Sequence, residues 1–166
     1  MKMINKFYTA ILLSAFIFTG CKKEAVNGLS DIRPAVPVTV ANAADYRPDP
    51  TIIVSKSAGG GTGPFQIVLT IPSNKGKTIK EISKVAFSTS YTQIQSTGTT
   101  GFYTTTPIPG DGTTVTFTSS FSEILAKGLG PIPATNAELT RRFYFLVTLS
   151  DDTKIVTTPV RLLVAD

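Results

Sequence analysis

A period of two is the feature that most constrains what this chain can fold into. Between Phe65 and Ile71, the apolar residues Phe65, Ile67, Leu69 and Ile71 alternate with Gln66 and Thr70, broken only by Val68. Between Thr113 and Ser119, Val115 and Phe117 oppose Thr114, Thr116 and Thr118. The run from Ser83 to Tyr91 sets Val85, Phe87 and Tyr91 against Lys84, Ser88 and Ser90. Successive side chains of an extended strand point to opposite faces, so this alternation describes strands with one dry and one wet side, as in antiparallel sheets. A helix would scatter the same residues around its whole circumference.

Other segments extend the pattern. Val36 to Asn42 and Thr51 to Lys56 are short β-branched runs. Arg142 to Ser150 and Thr153 to Val164 are apolar, aromatic and β-branched, and Asp151-Asp152 between them reads as a two-residue hairpin turn. Phe143, Phe145, Val147 and Leu149 share a face, with Tyr144 and Leu146 opposite, which predicts burial on much of both sides. Pro159 cannot donate to a ladder and places the last strand at an edge or a bulge. One short helix interrupts: Ser120 to Glu123 fits a capping box, Ile124 and Leu125 supply an apolar face, and Gly128 a stop. The expected fold is all-β, an Ig-like or fibronectin-like antiparallel β-sandwich of about seven strands with one short helix.

The first twenty residues read differently. Met1 to Lys6 is short and basic, Phe7 to Phe18 is uncharged and mostly apolar, and Thr19-Gly20 precede Cys21. That is the layout of a secretory signal, and the run is too short to span a bilayer. Phe18-Thr19-Gly20-Cys21 resembles the lipobox of bacterial lipoproteins, departing only at Phe18, where Leu is usual; Phe there is common in lipoproteins of the Bacteroidota. Cys21 is the sole Cys of the 166 residues. The resemblance implies cleavage after residue 20 and acylation of Cys21 with two or three chains, which gives stable anchoring because each buried methylene is worth about 0.8 kcal/mol. Residues 21–35 then form a lipidated tether and residues 36–166 the Ig-like domain. Lys22-Lys23-Glu24 lacks an Asp at the second mature position, which favours the outer membrane, on its periplasmic face or at the cell surface. Losing Lys2 and Lys6 leaves 14 basic against 11 acidic side chains, a net of +3.

Composition narrows the chemistry. The chain has no His and no Trp, so the usual general base and the commonest metal ligand are absent, and one Cys allows neither an intrachain disulfide nor a Cys-based zinc cluster. No metal or other cofactor is expected. Gly59 to Gly63 lacks the Gly-Lys-Ser/Thr of a phosphate cradle and leads through Pro64 into a strand, so it reads as a flexible loop between strands. Gly110-Asp111-Gly112 offers too few oxygens for calcium and reads as a turn. Lys75, Lys77, Lys80 and Lys84 have no interleaved aromatics, so they read as a solvated face and no nucleic acid is expected.

Binding is the function that remains, through the Ser/Thr/Gly-rich stretch from Ser88 to Thr114. Its Tyr91, Phe102 and Tyr103 are the candidate ligand contacts, for a sugar ring or an envelope protein. The expected role is a non-catalytic binding or accessory module, held to membrane lipid by N-terminal acylation. The alternatives are a structural envelope component without a small-molecule ligand, and a hydrolase with an unrecognised carboxylate pair.

Overall fold

The computed structural model describes residues 34–55, 57–87, 91–129 and 139–165. In chain order the strands are β1 (Thr39–Val40), β2 (Thr51–Ser55), β3 (Pro64–Thr70), β4 (Ile79–Phe87), β5 (Ile108–Pro109), β6 (Thr114–Ser120), β7 (Leu139–Leu149), β8 (Lys154–Val156) and β9 (Val160–Ala165). They form two sheets. One runs β1-β3-β6 and the other β2-β9-β7-β4-β5, with β8 also paired to β7. Taking β1, β3 and β6 as strands A, B and E, and β4, β7 and β9 as C, F and G, the path is that of an Ig-like sandwich. The fold is all-β, as the alternation predicts.

The inner faces are the ones read from the sequence. Phe65, Ile67 and Leu69 of the first sheet, Ile71 just after it, and Phe143, Phe145, Val147 and Leu149 of the second are all buried in one core. Rings from both sheets meet there: Phe117 lies 5.4 Å from both Phe143 and Phe145, and Phe65 lies 5.7 Å from Phe143. Burying such side chains is worth roughly 1.5–3 kcal/mol each, which drives the two sheets together.

Among the described residues the strand count is nine rather than about seven, for two local reasons. A two-residue β5 adds to the edge of β4. The last arm is divided at Pro159, with β8 before it and β9 after it, both on the same side of β7. Nor is the sandwich wholly antiparallel, because β2 runs parallel to β9 over Thr51–Ser55. The final strand is therefore interior, between β7 and β2, and Pro159 marks a break in the ladder instead of an edge.

Two boundaries also move. β4 begins at Ile79, earlier than the alternation from Ser83 suggests, because shifts of register between Ile79 and Glu81 and between Ile82 and Lys84 disturb its period. Tyr91 does not end that strand; it starts a short helix, Tyr91–Ile94. The hairpin turn spans three residues, Ser150 to Asp152. The Asp152 N–H donates to the Leu149 carbonyl at 2.9 Å, and Asp152 takes the left-handed φ of 62° that closes such a loop.

The predicted helix is present as Phe121–Ala126. Ser120 caps it by accepting from the Glu123 N–H at 3.2 Å, and Gly128 ends it at φ 67°. Gly63 fits the helix against β3, because a Cβ there would stand 2.0 Å from Cδ2 of Phe121.

Candidate functional site

The three aromatic candidates are separated by their backbones. The Tyr103 N–H donates to the Val85 carbonyl at 2.8 Å, and the Val85 N–H donates to Thr104 at 2.9 Å, so this segment lies along the edge of β4. That pairing turns the Tyr103 side chain into the sandwich, where it is 4% exposed. Its ring packs 5.4 Å from Phe143, 5.7 Å from Phe117 and 6.1 Å from Phe87. Tyr103 is thus a core residue rather than a stacking platform, which corrects the expectation for it. Phe102, its neighbour, points the other way: it is half-buried, with the Lys84 ammonium 4.8 Å from its ring. Tyr91 is 49% exposed.

The polar end of Tyr103 anchors a small network that the sequence reading did not assemble. The Tyr103 hydroxyl hydrogen-bonds Ser119 Oγ, which donates to Glu123 Oε2 at 2.8 Å. Lys127 Nζ lies 3.6 Å from Glu123 Oε1 and 4.9 Å from the Tyr103 ring. Burial pushes the Tyr103 phenol up to about 12, against a smaller opposing effect of its bond to Ser119. Glu123 thus completes only half of a capping box: its N–H goes to Ser120, but its carboxylate holds Ser119. The only signal in the sequence was the Ser120-x-x-Glu123 spacing, which misattributes the carboxylate. With Ser119 buried and its hydroxyl engaged on both sides, the network is a clamp between the helix and the β4 edge.

Three of the four lysines find separate partners. Lys77 Nζ lies 2.5 Å from Asp151 and Lys80 Nζ 2.7 Å from Asp152, which ties β4 to the hairpin turn. Its bond to Lys77 and a second to Thr153 hold the Asp151 carboxyl at about 2. Lys84 Nζ donates to the carbonyls of Ser96 and Gly98 and so holds the loop that carries Phe102. The glycine run forms a tight 3-10 turn, Ala58–Gly61, with Gly59 and Gly60 left-handed.

One cleft of about 340 Å³ opens between β2 and β3, lined by Asn42, Ile53, Ser55, Pro64 and Gln66 among others. The Asn42 amide is already committed there: Nδ2 donates to the Gln66 carbonyl at 3.0 Å, and Oδ1 accepts from the Val68 N–H at 2.9 Å. Among the described residues no group of three His, Cys, Asp or Glu side chains could hold a metal ion, and no helix is long and apolar enough to cross a membrane. Phe18, Thr19, Gly20 and Cys21 lie outside the described residues.

Comparison with protein-family models and with curated proteins finds no match. Among solved structures the chain is similar to the CooA pilin subunit from enterotoxigenic Escherichia coli, at TM-score 0.33 and 8% identity, over 80% of this chain and 98% of that one. A likeness of that size carries no argument about function.

Proposed function

We propose that the protein is a cell-envelope lipoprotein, anchored to the outer membrane through acylated Cys21, whose Ig-like domain serves as a non-catalytic binding or accessory module. One observation carries this reading: the only cysteine of the chain directly follows an apolar run and two small residues, where the lipobox requires it. The absence of His and the full engagement of the Tyr103–Ser119–Glu123 network support a role without catalysis. Tyr91 and Phe102 remain the contacts offered to a glycan or protein partner. A structural envelope role without a small-molecule ligand is the second reading, favoured by the burial of Tyr103, which leaves no pair of adjacent exposed rings there.

Fractionation of cells expressing the full chain tests the anchor. Cys21→Ser should move the protein from the membrane pellet to the soluble fraction, and unchanged pelleting would overturn the reading. A glycan array probed with the Cys21→Ser protein and its Tyr91→Ala derivative separates binding module from structural component.

A further inference from the structure

Strand β6 has an open edge. On β3, the Val68 carbonyl accepts from Ala41 N–H, and Asn42 takes the Val68 N–H and the Gln66 carbonyl, so even-numbered residues of β3 turn their backbone toward β1. The odd-numbered Phe65, Ile67 and Leu69 face β6, opposite Ser119, Phe117 and Val115. Backbone direction alternates along a strand, so Thr114, Thr116, Thr118 and Ser120 turn theirs to the far side of β6. Thr114 spends its groups on Asp111 across the turn. Among the described residues Thr116 and Thr118 find no backbone partner, and no described strand stands where strand D of an Ig-like sheet would lie.

The other free edges are blunted. β1 and β5 have two residues each, β5 ends on Pro109, β8 has three residues and carries Lys154, and β2 is capped at Thr51 by Ala44 and Asp45. β6 is seven residues long, TVTFTSS, without charge, proline or register shift. Natural edge strands carry such devices to prevent pairing, and the sequence and register of β6 show none of them.

We propose that β6 pairs antiparallel with β6 of a second copy of this chain, around a two-fold axis at Thr118, joining two three-stranded sheets into one of six strands. Self-pairing is favoured by what this register brings together. Thr118 exchanges both backbone bonds with its own copy, and Thr116 stands opposite Ser120 on either side. The wet faces then align hydroxyl with hydroxyl, and no charge meets its copy. The pairing does not depend on lipidation of Cys21.

Cross-linking and sedimentation of the full chain carrying Cys21→Ser test it. Directly opposed residues of a hydrogen-bonded antiparallel pair have Cα atoms about 5.5 Å apart, within disulfide range. Thr118→Cys should therefore give an oxidised dimer, whereas Gln66→Cys on β3, within the same sheet, should not. The parent should sediment as a dimer and Thr118→Lys, which sets a charge against its own copy, as a monomer. A parent that stays monomeric, a Gln66→Cys variant that links equally well, or a Thr118→Cys variant linked only to a different envelope protein would each overturn the proposal.

Discussion

Replacing Tyr103 distinguishes a core residue from a ligand contact. The ring is 4% exposed and packs on Phe143, Phe117 and Phe87 at 5.4, 5.7 and 6.1 Å. Removing a buried aromatic costs about 3–5 kcal/mol, and a site flanked by three rings collapses poorly, so about 4 kcal/mol is expected for Tyr103→Ala. Tyr103→Phe keeps the ring and loses one hydrogen bond, for about 1 kcal/mol; Ser119 keeps its bond to Glu123. With a urea slope of about 2 kcal/mol/M, the midpoint should fall by about 2 M for Ala and about 0.5 M for Phe, read by far-UV circular dichroism. The alkaline limb adds an independent sign. Burial pushes the folded phenol up to about 12 from its ordinary 10.0, so its contribution is whole below pH 10 and is lost as pH rises toward 12. Tyr103→Phe should flatten stability over that window. A Tyr103→Ala midpoint within about 0.5 M of the parent would refute the placement of this ring in the core.

Two further outcomes follow from backbone and charge. Gly63→Ala should cost at least about 2–3 kcal/mol, combining a left-handed φ of 57° with a collision at Phe121, whereas Gly112→Ala, at the same φ but with open space, should cost only about 1 kcal/mol in thermal unfolding. The Asp151 carboxyl is held at about 2 against 3.8, so its stabilisation is present above the ordinary value and fades as pH falls toward 2; in Asp151→Asn that acid-side fall of Tm should be shallower.

The strands that the alternation revealed are those whose two faces meet unlike surroundings. Phe65 to Ile71 and Val115 to Phe117 have core on one side and solvent on the other, and that contrast is written residue by residue. β4 was harder to read because its bulges break the period near Lys80 and Glu81, and β5 because two residues carry no period at all. The parallel contact of β2 with β9 is invisible to local patterning, since the partners lie more than a hundred positions apart. The burial of Tyr103 is hidden from the sequence for a related reason. An aromatic in a Gly-Thr-rich stretch looks like a loop residue, and only the bonds it makes with β4, remote in sequence, turn the ring inward. The Ser119–Glu123 contact depends on a rotamer that spacing does not specify.

That β2–β9 contact also fixes the order in which the protein can be completed. Synthesis delivers the chain from its N-terminus, yet β9, the last of the described strands to emerge, lies in the middle of its sheet, between β7 and β2. Until residues 160–165 emerge, β2 has no ladder partner and β7 has none on that side along Leu139–Phe143. Folding must therefore be late and dominated by non-local closure, on the millisecond-to-second scale of such topologies. The incomplete chain stays open until then, and the six-residue β9 completes the larger sheet.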